Sequence, residues 1–174
     1  MTDPVLLYSV EKGIAHIVLN RPEKRNALNT EICLALSSAW RRFQEDEDAR
    51  VAVLSGAGGV FCAGADLGGD LTIEALKKIA PDNGYAVRKP IVGAVNGYAM
   101  GAGFSLAIRC CDLTIMAESA KLGYPESKIG TFGAITDHAA VMPFKIALEF
   151  TMTGEPISAA RAYELGLANK GVPE

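Results

Sequence analysis

Basic residues are in deficit: 17 Lys and Arg stand against 20 Asp and Glu, a net charge of -3. With no cationic excess to neutralise phosphates, a nucleic-acid backbone is a poor partner. Long apolar runs are missing too. The longest, Ile91 to Ile108, is interrupted by Asn96 and four glycines, so it reads as strand, loop and buried helix rather than a membrane span. Met1 to Val10 carries Asp3 and Pro4 and no cationic stretch ahead of an apolar core, which is not the pattern of a signal peptide. Cysteine is scarce. Cys33, Cys62, Cys110 and Cys111 show no zinc spacing, and adjacent cysteines rarely bridge each other. No metal site is expected, and reduced thiols suit a cytoplasmic compartment. Internal repeats and low-complexity tracts are lacking.

What remains is ordinary globular composition, 49% hydrophobic and 21% charged over 174 residues, enough for one domain. Tyr8 to Val10 and Ile14 to Leu19 read as strands around a Glu11-Lys12-Gly13 turn. Asn20 to Asn29 is a polar loop, and Thr30 is placed to cap a helix whose apolar face is Ile32, Leu36, Ala39, Trp40 and Phe43. Val51–Leu54, Ile91–Val95 and Leu113–Ala117 are short apolar runs, as in strands buried on both faces. Helices are expected over Leu71 to Ile79, from Gly103 to about Arg109, over Ala139 to Thr153 and over Ala159 to Leu165; Asn169 to Glu174 reads as a strand or linker. Strand–loop–helix units recurring after residue 50 predict an α/β fold with a mostly parallel sheet.

Two of those units share one design: Val51–Leu54 leads into Ala63-Gly64-Ala65-Asp66, and Ile91–Val95 leads into Gly101-Ala102-Gly103. Small residues admit a ligand close to the backbone, and free N–H groups at a helix start favour negative charge. Two such N–H groups converging would make an oxyanion hole. The same glycines equally serve tight turns and close helix packing. Other readings compete. A dinucleotide fingerprint would need glycine where Leu106 stands. A serine-hydrolase elbow at Gly103-Phe104-Ser105-Leu106-Ala107 would need Asp112 or Asp137 with His138 as its triad. His16 alternates with apolar residues on a strand, and both histidines read as structural. A non-catalytic binding module is the third alternative. Glu126, in Tyr124-Pro125-Glu126, either favours a helix dipole or, facing an apolar pocket, moves protons near neutral pH.

Five collinear segments carry a resemblance. They are Asn20-Arg21-Pro22-Glu23-Lys24-Arg25-Asn26-Ala27-Leu28-Asn29, Phe61 to Leu67, Ala94 to Gly103, Tyr124-Pro125-Glu126, and Leu148 to Gly166. Together they resemble the enoyl-CoA hydratase/isomerase (crotonase) family over nearly the whole chain. The resemblance implies one crotonase-like acyl-CoA-binding domain over residues 1–174, a spiral of ββα units, and no cofactor beyond the coenzyme A of the substrate itself. It implies that Ala65 and Ala102 supply the oxyanion-hole N–H groups. Ala63, Asp66, Leu67, Gly68 and Gly101 would lie along the ligand, and Lys24, Arg25 and Ala27 in a loop near CoA. Glu126 matches one catalytic glutamate of the family's hydratases, while the position of the other is Ser105. Hydration and double-bond isomerisation therefore both stay open, as does an inactive acyl-CoA binder. Thioester hydrolysis is a further enzyme class. Cys110 and Cys111 stand where one cysteine is usual, and the stretches Leu67 to Pro90 and Thr131 to Ala147 are shorter than usual. The usual helices beyond a position like Pro173 are absent, so the C-terminal helical part is expected to be truncated. Homo-oligomers, trimers or dimers of trimers, are the family expectation.

Overall fold

A computed structural model describes residues 3–82, 87–131 and 135–173. The strands are β1 (Leu6–Glu11), β2 (Ile14–Leu19), β3 (Val51–Gly56), β4 (Ile91–Val95), β5 (Tyr98–Met100), β6 (Leu113–Ala117), β7 (Lys121–Gly123), β8 (Ile157–Ser158) and β9 (Lys170–Val172). The helices are α1 (Thr30–Glu45), α2 (Ile73–Lys77), α3 (Ala102–Arg109), α4 (Ile135–Ala139), α5 (Phe144–Thr153) and α6 (Ala159–Glu164), with 3-10 turns at Pro22–Lys24 and Pro125–Ile129.

β1 and β2 form an antiparallel hairpin in the register Leu6↔Leu19 to Glu11↔Ile14. Its turn needs two left-handed residues, and Lys12 (φ 52) and Gly13 (φ 85) supply them. From β2 onward the sheet is parallel, in the order β1-β2-β3-β4-β6-β9. A second sheet holds β5, β7 and β8. In β4–β5–α3, and in β6–β7 with the 3-10 turn that follows, the chain places a strand in one sheet, a short strand in the other, and then a helical segment. This is the crotonase-like α/β spiral of ββα units. The segment Asn169 to Glu174 contributes β9, which adds to the edge of β6.

Helix α1 buries Ile32, Leu36, Ala39, Trp40 and Phe43, the face expected from their spacing. Its cap is Asn29 rather than Thr30: the Asn29 side chain accepts from Ile32 N–H at 3.0 Å. Thr30 is the first helical residue, and its hydroxyl donates to Asp70 O. The helix expected over Leu71 to Ile79 shrinks to α2, because Thr72 starts it by accepting from Ala75 N–H at 3.2 Å. The helix expected over Ala139 to Thr153 starts only at Phe144, as α5, after Pro143, which has no N–H to carry a ladder through it, while Ala139 ends a separate helix, α4. Among the described residues no helix is long and apolar enough to cross a membrane.

The loop from Asn20 to Asn29 is held by a buried side chain. Asn26 is fully buried at φ 55. Its Oδ1 accepts from Arg21 N–H at 2.9 Å, and its Nδ2 donates to Ala57 O at 2.9 Å and Val60 O at 2.6 Å. Arg21 continues the clamp, donating to Ala27 O and pairing with Asp66 at 3.2 Å through side chains only 13% and 17% exposed. Asn26→Ala orphans one buried donor and two carbonyls and loses a residue tolerant of left-handed backbone. It is expected to lower the unfolding free energy by about 3 kcal/mol, measured by urea denaturation.

Candidate active site

The site begins where two backbones touch. Cys62 joins β5 through an isolated parallel bridge to Ala99, with Cys62 N–H bonded to Tyr98 O and Met100 N–H to Cys62 O, both at 2.9 Å. A Cβ on Gly103 would overlap Cys62 O, and one on Gly64 would lie 2.8 Å from Met100 O and 3.7 Å from Ala102 N. Glycine at both places lets the two segments meet. Leu28 bridges Ala65 in parallel, bonding to Gly64 O and Asp66 N–H at 2.8 Å each. That pattern turns the N–H of Ala65 away from Leu28. Ala102 opens α3, so its N–H has no acceptor within the helix. It carries no positive φ, so alanine presents its N–H there without strain. Neither N–H has a hydrogen-bond acceptor among the described residues.

Beneath them lies a cavity of about 460 Å³. Ala65, Ala102, Ser105 and Glu126 all line it, with Ile73, Leu76, Ile79, Ala80, Cys110 and Tyr124 as apolar or weakly polar wall. Trp40 Nε1 donates to Ile79 O at 2.8 Å, tying this wall to α1. Glu126 is delivered by the Pro125–Ile129 turn, capped by Gly130 at φ 78. Its carboxylate lies against Gly101, where a Cβ would overlap Oε1. Its Oε2 is buried and has no hydrogen-bond partner among the described residues. Burial pushes the Glu126 carboxyl above its ordinary range, partly countered by a bond from its own backbone N–H. Burial also raises the Tyr124 hydroxyl, with the Glu126 charge adding to the effect.

None of the other candidate residues, Lys24, Arg25, Ala27, Ala63, Asp66, Leu67, Gly68 and Gly101, lines this cavity. Lys24 and Arg25 are exposed, as are Leu67 and Gly68. Ala63 N–H is bonded to Arg25 O at 3.0 Å, and Ala27 N–H to Lys24 O at 3.0 Å. Asp66 is engaged within the protein at its N–H, its carbonyl and its carboxylate. Gly101, at φ 54 and ψ -118, forms the corner before α3.

The hydrolase arrangement is not assembled. Asp112 accepts from Ile91 N–H at 2.7 Å, Asp137 pairs with Arg109 at 2.8 Å, and His138 Nδ1 meets Thr151 Oγ1 at 2.7 Å. His138 is fully buried among Phe104, Tyr124 and Phe150. Ser105 sits one turn into α3, away from any strand-to-helix elbow. Sequence reasoning did not single out Tyr124 or the α2 wall for the cavity. The helical spacing of Ile73, Leu76 and Ile79–Ala80 was the available signal.

A family model described as enoyl-CoA hydratase/isomerase matches residues 9–174. The chain belongs to the enoyl-CoA hydratase/isomerase family. It is 36% identical over 177 residues to (E)-benzylidenesuccinyl-CoA hydratase of Thauera aromatica, covering 95% of this chain and 68% of that one. It is 34% identical to enoyl-CoA hydratase EchA19 of Mycobacterium tuberculosis, covering 91% of this chain and 64% of that one. The crystal structure of enoyl-CoA hydratase EchA1 from Mycobacterium marinum superposes with a TM-score of 0.87 at 34% identity, covering 98% and 70% of the two chains. This family member therefore spans about two thirds of the length of those relatives.

Two ionisations should shape its pH response. Between the ordinary carboxyl range and the raised value of Glu126, the folded state holds a proton that the unfolded state has lost. Stability from this group therefore falls as pH rises through that window. Burial lowers His138, so below its unfolded value of 6.5 the unfolded chain takes up a proton first and stability falls with acidification. Glu126→Gln is expected to gain melting temperature relative to the parent at pH 8 more than at pH 5, read by thermal denaturation at both.

Proposed function

We propose that this chain binds an acyl-CoA thioester and acts as an enoyl-CoA hydratase. The observation that supports the reading is that Ala65 and Ala102, whose N–H groups have no acceptor among the described residues, line one cavity with Glu126, whose buried Oε2 also has no partner among them. A thioester carbonyl oxygen placed between the two N–H groups gains negative charge when its conjugated double bond is attacked. Preorganised donors stabilise that charge, each by about 3 kcal/mol. Water adds to the β-carbon and its proton passes to Glu126. The resulting enolate is held by the two N–H groups, and Glu126 returns a proton to the α-carbon. A carboxyl raised by burial suits both halves of that transfer near neutral pH. Ser105 hydrogen-bonds the attacking water in this scheme, though a hydroxyl is no base. Lys24 and Arg25, both exposed, are available to meet the phosphates of CoA.

Isomerisation of a 3-enoyl-CoA is the second reading, favoured by Ser105 standing where a second carboxylate would handle water. One carboxylate suffices to carry a proton from the α-carbon to the γ-carbon. Self-association fits the exposed Ile129, Phe144 and Met152. Four free, buried cysteines suit a reducing cytoplasmic setting.

Following the conjugated enoyl-thioester absorbance distinguishes the readings. Loss of signal from a short 2-enoyl-CoA is expected. Gain from a 3-enoyl-CoA with no loss from the first would make the enzyme an isomerase, and silence in both would remove the catalytic reading. Glu126→Gln is expected to lower kcat by a factor of about 10² to 10⁴. Ser105→Glu, which restores a second carboxylate beside the water, is expected to raise the ratio of hydration to isomerisation by about tenfold or more.

A further inference from the structure

Along one wall of the cavity the chemistry changes from apolar to charged. Ala102, Ser105 and Arg109 all line it, and their spacing places them on one face of α3. At 1.5 Å per residue, Arg109 lies about 10 Å beyond Ala102 along the helix axis, the span of a medium-length acyl chain. Ile73, Leu76, Ile79, Ala80 and Tyr124 line the same space. At the Arg109 end, Nη1 donates to Asp137 Oδ2 at 2.8 Å, and the two side chains are 42% and 46% exposed. Lys77 and Asp82 also line the cavity. Leaving Glu126 aside, its charged lining is therefore two cations against two anions.

We infer that the acyl tail this enzyme prefers ends in a neutral oxygen-bearing group, a hydroxyl or a carbonyl, seated on the Arg109–Asp137 pair. The inference rests on the acyl-CoA reading above and adds the class of tail. A plain alkyl end reaching Arg109 strips water from an ion pair and returns no hydrogen bond. A guanidinium carries five N–H donors, and the contact with Asp137 uses one of them. A terminal oxygen accepts from one of the others, and a hydroxyl donates to the Asp137 carboxylate as well. A terminal carboxylate finds Arg109 but also faces Asp137 and Asp82, and the lining holds no net positive charge to receive it. Charge balance therefore selects the neutral group.

The test compares three 2-enoyl-CoA substrates of equal chain length: 2-hexenoyl-CoA, 6-hydroxy-2-hexenoyl-CoA and the mono-CoA thioester of 2-hexenedioic acid. The hydroxylated substrate is expected to have a kcat/KM about tenfold above the alkyl one, the effect of one hydrogen bond to a charged group at a half-exposed site. In Arg109→Met and in Asp137→Asn that ratio is expected to fall toward one. Because the ratio is taken within each variant, loss of folded protein cancels. Equal rates in the parent, preference for the alkyl substrate, or a ratio unchanged in Arg109→Met would overturn the inference while leaving the hydratase reading intact. Preference for the dicarboxylic substrate would overturn the neutral tail. If no substrate is turned over, the hydratase reading fails. The tail is then read from the Kd of 6-hydroxyhexanoyl-CoA against hexanoyl-CoA by calorimetry, where tighter binding of the first by the parent but not by Arg109→Met upholds the inference and equal affinity rejects it.

Discussion

Direct contact between two backbones, with no side chain between them, is the constraint on which this site depends. The Cys62–Asp66 segment follows β3 and the Met100–Gly103 corner leaves β5, and they close on each other through the Cys62↔Ala99 bridge. Gly64 and Gly103 have no side chain because Met100 O and Cys62 O occupy the space where a Cβ would go. Gly101 is excluded from having one by Glu126 and by its own positive φ. These contacts make the geometry of the two free N–H groups a property of the sheet rather than of mobile loops. Donors held by hydrogen-bonded strands need no reorganisation when charge develops between them.

The rest of the molecule braces that junction. The loop from Asn20 to Asn29 is held against it by the three hydrogen bonds of Asn26, two of them to Ala57 O and Val60 O, and by the Arg21–Asp66 pair. On the far side, His138 packs edge-on to Tyr124 and Phe104, fixing the ring that walls the carboxylate. Burial acts on the two ionisable groups in opposite directions. It raises Glu126, which suits proton transfer, and lowers His138, which keeps an apolar cluster free of charge. Glu126 is a carboxylate with a buried oxygen that has no partner among the described residues, a local cost in stability.

Much of the fold was legible because it is written in local periodicity. The α1 face from Ile32 to Phe43, the β2 alternation and the apolar runs of β3, β4 and β6 all follow from residue spacing. Boundaries were less legible because caps decide them: Asn29 and Thr30 are both good cap residues, and only the reach to Ile32 N–H chooses between them. The break at Pro143 was legible in principle, since proline cannot continue a helix ladder.

The residues of the site divide along the same physical line. Motif order singles out Gly64, Gly101, Gly103, Ala65, Ala102 and Glu126, and Ala65, Ala102 and Glu126 line one cavity. The sequence by itself determined the alternation of strand, small-residue loop and helix, and with it where small residues bring two backbones together. Tertiary structure alone decided that Glu126 Oε2 is buried without a partner, that Asp66 is engaged by Arg21, and that Arg109 and Asp137 meet at the charged end of the cavity. Those facts depend on which residues distant in the chain come within a few ångströms. Desolvation and Coulomb terms are set by that proximity, which no local pattern of residues encodes.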